Sequence, residues 1–201
     1  LKIMEIVNKR QWKINKILYY LFKERFRKKI EFNFPKELNR WDLINQIILI
    51  KNFSSYLEIG CDDDHAFSQI KLEDKIGVDP ISGGNFRGTS DEFFLQNSRK
   101  FDCIFIDGLH EYDQVYMDVL NSLDNLNENG IILLHDCLPK SMSQQAVPRH
   151  QWVWNGDVWK CIVNFRCRND LDIVTCKIDQ GISIIRKIKN KEPLDLKIKN
   201  F

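Results

Sequence analysis

The chain has 201 residues, one full-sized domain with at most a small appendage at roughly 100–200 residues per domain. Its 43% hydrophobic and 29% charged content excludes a disordered, collagenous or fibrous chain. The formal net charge of +2 argues against a dedicated nucleic-acid binder but hides an asymmetry: residues 1–40 hold twelve Lys and Arg against four Asp and Glu, a balance of +8, so the other 161 residues sum to −6. The sequence holds no run of the ~18–20 apolar residues that a membrane span needs, and no apolar stretch with a small-residue cleavage site at its start. Six scattered cysteines without a CxxC pair indicate neither a zinc knuckle nor a disulfide framework. A cytoplasmic protein with reduced cysteines is expected.

The first element in chain order is a helix. Ile14, Ile17, Leu18, Leu21 and Phe22 recur at helical spacing with Lys13, Lys16, Lys23 and Arg27 between them, an amphipathic basic pattern. Pro35 interrupts it, and a second short helix from about Asn39 has Trp41, Ile44, Ile47 and Ile48 for its buried face. Short apolar runs then alternate with helical patterns: YLEIG (56–60), KIGVD (75–79), FDCIFID (101–107) and GIILLHD (130–136). Runs apolar on both faces suit a parallel sheet covered on both sides. Between the last two, residues 110–126 place Val115, Val119, Leu123 and Leu126 on one helix face, with Asn129-Gly130 as the stop. WNGDVWKCIVNF (154–165) reads as a further helix, and LDIVTCK (171–177) and GISIIRK (181–187) lie too close together for a crossover, so they form a hairpin. The expected fold is α/β and Rossmann-like: a mostly parallel sheet with a C-terminal antiparallel hairpin and helices on both faces. Residues 1–50 form a basic helical arm, 51–190 the main domain and 191–201 a polar, frayed tail.

Ligands of open α/β sheets bind at the carboxyl ends of the strands, and here those ends are Glu58-Ile59-Gly60, Gly77-Val78-Asp79-Pro80, Asp107-Gly108-Leu109-His110 and His135-Asp136-Cys137. Gly60 is followed by Cys61-Asp62-Asp63-Asp64-His65 rather than by further glycines, so three carboxylates would stand where a dinucleotide's pyrophosphate approaches. NAD and FAD are disfavoured on charge. S-adenosylmethionine (SAM) lacks phosphates and carries a sulfonium and an ammonium, so it tolerates an acidic loop. Asp79 stands about twenty residues after Gly60, where a carboxylate accepts both hydroxyls of a ribose; a turn before Pro80 is the lesser alternative. Asp62 to Asp64 equally suit an acidic helix N-terminus.

Residues 56–187 resemble the small class I SAM-dependent methyltransferases of the methyltransferase-domain group that includes sugar O-methyltransferases of antibiotic and surface-polysaccharide pathways. The likeness rests on YLEIG, GVDP, TSDEFF (89–94), FDCIFIDGLHEYDQV (101–115), NGIILLHDC (129–137), WNGDVWK (154–160) and DQGISII (179–185), with IDGLHEY through LLHDC the most specific part. It implies SAM held by Glu58, Gly60, Cys61, Asp79 and Asp107, with Ser90 and Asp91 near the adenine. One departure is that no second glycine stands near Asp64.

Asp107 and Asp136 end adjacent strands of the expected sheet, so their carboxylates can converge on a Mg²⁺ or Mn²⁺. Similar methyltransferases use acids at these ends for a cation that holds two vicinal hydroxyls. The catechol type has Asn after its second Asp, whereas Cys137 stands here, which leaves His135 or water to complete the shell. His110 is the first general-base candidate and His135 the second; each also suits a structural role, and a metal could replace the base. The segment Pro139 to Trp159, with Trp152, Trp154 and Trp159, is read as the wall facing a hydroxylated, sugar-like acceptor, or as a helix start capped by Asn155. A non-catalytic scaffold is one alternative. Another has residues 1–30 contact a membrane surface or RNA. A homo-oligomer is left open.

Overall fold

A computed structural model describes residues 9–26 and 31–195. The ends of the expected arm and tail, residues 1–8 and 196–201, lie outside the described residues, as do residues 27–30, Arg27 among them. The elements are α1 (Lys9–Tyr19), continued by a π turn (Tyr20–Glu24), α2 (Arg40–Lys51), β1 (Tyr56–Ile59), β2 (Lys75–Asp79), β3 (Phe86–Arg87) and α3 (Ser90–Gln96). They continue with β4 (Phe101–Ile106), α4 (Tyr112–Asp124), β5 (Leu126–Leu134), α5 (Trp159–Arg166), β6 (Asp172–Cys176) and β7 (Ile182–Arg186). No helix among the described residues is long and apolar enough to cross a membrane.

The seven strands form one sheet in the order β3-β2-β1-β4-β5-β7-β6, parallel except for β7, which is antiparallel to both β5 and β6. Side chains alternate between sheet faces along a strand, yet both faces are apolar. Leu57, Ile104, Ile106, Ile132 and Leu134 share one core with Val115, Val119 and Leu123 of α4 and Ile162 and Phe165 of α5. Tyr56, Cys103, Phe105, Ile131 and Leu133 share the other with Ile44 and Ile48 of α2. Helix α2, placed in the arm on sequence, is thus anchored in the body by two buried isoleucines, each stabilising by roughly 1.5–3 kcal/mol.

Two expectations need correction. Helix α4 stops at Asn125 rather than at Asn129-Gly130, because β5 already begins at Leu126. Asn129 and Gly130 lie inside that strand, where the pairing with β4 shifts register and Asn129 takes a left-handed φ of 63°. No α-helix follows the acidic loop after β1; three residues of 3₁₀ helix, Phe67–Gln69, stand there instead. Elements β3 and α3 were not anticipated.

Ile59 pairs with Ile106, and Ile106 with Leu134. Two further bonds, Asp107 N–H to Ile59 O at 2.8 Å and His135 N–H to Ile106 O at 3.1 Å, carry the ladder one step on. Gly60, Asp107 and His135 therefore stand in one row at the carboxyl edge. Gly60 has φ +87°, and a Cβ there would meet the Asp107 carbonyl oxygen at 2.4 Å. Gly60→Ala should cost about 2 kcal/mol or more, measured by urea unfolding, and should displace Asp107 with it.

Candidate active site

Five side chains converge beyond the ends of β4, β5 and the β6–β7 turn. Asp107 Oδ1 receives His135 Nδ1 at 2.9 Å and His110 Nε2 at 3.3 Å, and Asp107 Oδ2 receives Arg40 Nη1 at 3.0 Å. His110 Nδ1 lies 3.0 Å from both Asp136 Oδ2 and the Trp154 carbonyl. His135 Nε2 lies 2.7 Å from the Asp179 carbonyl. Both imidazoles have an acceptor within reach of each nitrogen, which favours the doubly protonated ring, while Arg40 Nη1 also lies 3.2 and 3.3 Å from the two nitrogens of His135.

The electrostatics agree. Burial pulls the His135 ring down, but the charges of Asp107 and Asp136 outweigh it and raise its pKa well above the ordinary imidazole value. His110 is likewise pulled down by burial and raised by its hydrogen bond to Asp107 and the charge of Asp136. For Asp107, burial works upward and is overcome by His135, His110 and Arg40, which hold the carboxyl well below its usual range. Burial raises the Asp136 carboxyl despite the same cations. The upward direction favours a protonated His110, and in that form it must lose a proton before it can accept one.

The structure brings together His110, His135, Asp107 and Asp136, all four named on sequence. Arg40 was missed, and so was Asn155, whose side chain was assigned only a capping role. Asn155 is fully buried, its Nδ2 donates to Asp136 Oδ1 at 2.8 Å, and among the described residues its Oδ1 has no hydrogen-bond partner. Cys137 stays out of the cluster; its buried thiol points back to the Leu134 carbonyl and is pushed up to about 12 by burial. Ligand atoms of Asp107, His110 and Asp136 lie within 4.8 Å of one another. Two carboxylates and an imidazole make a donor set that fits Mn²⁺ or Mg²⁺.

The other named residues line the same edge. Glu58 is buried, accepts the Tyr56 hydroxyl at 2.5 Å, and is raised to about 8, chiefly by burial. Asp79 Oδ1 accepts the Ile81 and Ser82 N–H groups, and its Oδ2 accepts that of Asp62 at 3.0 Å, so the turn role foreseen for it is realised. The Cys61 thiol lies against Gly77, where an added Cβ would meet Sγ at 2.6 Å; a ligand at this residue would meet its backbone. The missing second glycine has a physical substitute. Asp62 and Asp64 themselves take left-handed φ values of 47° and 63°, which Asp tolerates better than most residues. Gly83 lets the next loop pass close to them, since a Cβ there would meet the Asp62 carbonyl oxygen at 2.5 Å.

Ser90 and Asp91 open α3, capped by Thr89, and are tied to α4 by Gln114, whose Nε2 lies 3.2 Å from each. The same amide reaches buried Asp118 at 3.1 Å. Of the three tryptophans in the segment Pro139 to Trp159, Trp154 stacks on His110 with ring centroids 5.4 Å apart. Trp159 lines a cavity of about 590 Å³ with Tyr19, Met142, Gln145 and Lys160, whereas Trp152 faces solvent. His65 lies tilted against the Trp41 ring with centroids 4.8 Å apart, and His150 bonds Ser143 Oγ at 2.9 Å; neither is bonded to the cluster.

Residues 61–137 match a protein family described as "Methyltransferase domain". Against curated proteins the sequence has no match. Among solved structures, a methyltransferase of Podospora anserina bound to S-adenosylhomocysteine (SAH) is similar at 17% identity and TM-score 0.58, over 92% of this chain and 99% of that one. An O-methyltransferase of Bacillus cereus in complex with SAH is similar at 9% identity and TM-score 0.54, over 92% and 93%. A methyltransferase of Geobacter sulfurreducens is similar at 12% identity and TM-score 0.54, over 88% and 89%. Residues 61–137 are thus similar to a methyltransferase domain, and the chain shares the fold of these solved structures.

Burial pushes the Asp118 carboxyl up to about 6, above the ~3.9 of an unfolded chain. Folding therefore takes up a proton between these values, and Asp118 makes stability fall as pH rises through that window. Asp118→Asn should remove this dependence and raise stability at pH 7.5 by about 1–3 kcal/mol, read from thermal melts across pH.

Proposed function

We propose that the protein is a SAM-dependent O-methyltransferase acting on a small hydroxylated acceptor, sugar-like in character, in the cytoplasm. The observation that carries this reading is the convergence of Asp107, His110 and Asp136 beside Gly60, at the carboxyl edge of a methyltransferase-type sheet. The tight turn at Gly60 leaves the backbone accessible to the amino-acid end of SAM, with Glu58 and Asp107 supplying negative charge toward its cationic groups. Asp79 accepts the ribose hydroxyls on lone pairs left by its three amide donors, and Ser90 and Asp91 border the adenine. The free thiols of all six cysteines, four of them buried, suit a reducing compartment.

Transfer from a sulfonium is an in-line displacement that depends on aligning the acceptor oxygen and removing its proton. Trp154, stacked on His110 with the Arg149 guanidinium also over its ring, borders the place a ring-shaped acceptor would take. Asp107, Asp136 and His110 would hold Mn²⁺ or Mg²⁺, which when bound lowers the pKa of a coordinated hydroxyl. The two imidazoles now donate to those same carboxylates, so cation and protons compete for one set of lone pairs. Without a cation, His110 is the residue that takes the acceptor's proton, at Nε2, once it is neutral.

Isothermal calorimetry with SAH should show one site per chain, and Asp79→Ala should weaken it roughly tenfold or more through lost charge-assisted hydrogen bonds. Absence of heat with the native chain contradicts the reading. Mn²⁺ binding followed by electron paramagnetic resonance should be present in the native chain and lost in Asp136→Asn. An unchanged spectrum on adding protein removes the metal and leaves His110 as the base.

A further inference from the structure

Helix α1 wears its apolar stripe on the wrong side for a helix that merely packs on its own body. Ile14, Ile17, Leu18, Leu21 and Phe22 are exposed, Ile17 by 58% and Phe22 by 77%, and Phe26 beyond the π turn by 85%. The face that touches the body carries other residues. Tyr19 lies against the His150 ring at 4.4 Å, Trp12 against Trp152 at 6.2 Å, and Glu24 Oε1 accepts the Ser143 N–H at 2.8 Å. Lys13, Lys16, Lys23 and Arg25 are exposed on the same helix and its continuation. Methyl transfer uses none of these side chains.

We propose that α1 and its π turn lie on an anionic lipid surface, with Ile14, Ile17, Leu18, Leu21 and Phe22 in the headgroup–acyl boundary and the basic side chains on lipid phosphates. An in-plane helix with an aliphatic and aromatic face and lysines beside it has this chemistry. Charge selects the lipid over other occupants. A second copy would set one +8 arm against another, at a like-charge cost. A nucleic acid would satisfy the lysines but leave the aliphatic stripe in water, at the usual cost of exposed apolar area. Anionic lipid satisfies both. The inference does not depend on methyl transfer. Its structural consequence is that a surface-bound arm also fixes the segment of residues 142–155, which it touches at Ser143, His150 and Trp152 and which reaches the cluster through Trp154 and Asn155.

The test is co-sedimentation of the full chain with phosphatidylcholine vesicles with and without phosphatidylglycerol. Binding is expected on the anionic vesicles only, and it should weaken as salt rises. Lys13→Glu/Lys16→Glu should reduce it about tenfold or more. Ile17→Asp/Leu21→Asp should abolish it with an unchanged melting temperature, since both positions are exposed. Failure of the native chain to bind, or binding undiminished in Ile17→Asp/Leu21→Asp, overturns the proposal. So does a dimer in sedimentation velocity that this variant dissociates while vesicles bind nothing, or RNA binding that displaces vesicles and survives the variant.

Discussion

Three carboxylates, Asp107, Asp136 and Asp179, end up close together at one edge of the sheet, Asp136 nearly out of reach of water and Asp107 largely so, and that charge has to be balanced on the spot. Buried charges are tolerated only when paired and hydrogen-bonded, and removing one partner of such a pair commonly costs about 3–5 kcal/mol. The balancing groups come from separate parts of the chain: Arg40 from the start of α2, His110 from the loop after β4, His135 from the end of β5, and the Asn155 amide from the segment before α5. Much of the fold can be understood as what holds these pieces in register. The row Gly60, Asp107, His135 follows from the β1-β4-β5 pairing, and Ile44 and Ile48 fix the helix that aims Arg40.

The same constraint links stability to chemistry. A charge-balanced cluster holding protons on His110 and His135 is a resting arrangement. Under the proposed function, a divalent cation or the positive end of a sulfonium cofactor would bind to the same carboxylates by taking over part of that balance. The loop after Gly60 shows a parallel substitution in backbone terms. Asp62 and Asp64 accept left-handed conformations that glycine usually supplies, and the Asp64 carboxylate stabilises the neighbouring loop by accepting the Gly84 N–H at 2.6 Å.

The sheet was legible in the sequence because strands buried on both faces leave continuous apolar runs, and a short link between two runs permits only a hairpin. Asp107, His110, His135 and Asp136 were legible because each stands at or just past a strand end, where packing gives no reason for a carboxylate or imidazole. Arg40 was not, since it sits among twelve basic residues of the arm and nothing local marks it as the one that turns inward. Asn155 was masked by a motif that equally suits a helix cap. The boundary of α4 was missed because Asn129-Gly130 is the stronger local stop signal, and the pairing of Leu126 with Phe101 overrode it. The signal for α3 was present in Thr89 and Glu92, a capping box, but its seven-residue helix is too short for periodicity to show.

The charge asymmetry of the sequence acquires two structural meanings. One residue of the basic arm completes the acidic site, while the exposed lysines of α1 flank an apolar stripe that the body does not cover. The most direct test of the central balance is a nuclear magnetic resonance titration of the histidine rings in chelator-treated protein. His110 and His135 should remain doubly protonated above the ordinary imidazole value of ~6.5, and Asp107→Asn should bring both down. Neutral rings at pH 6.5 in the native chain, as burial alone would dictate, would contradict it.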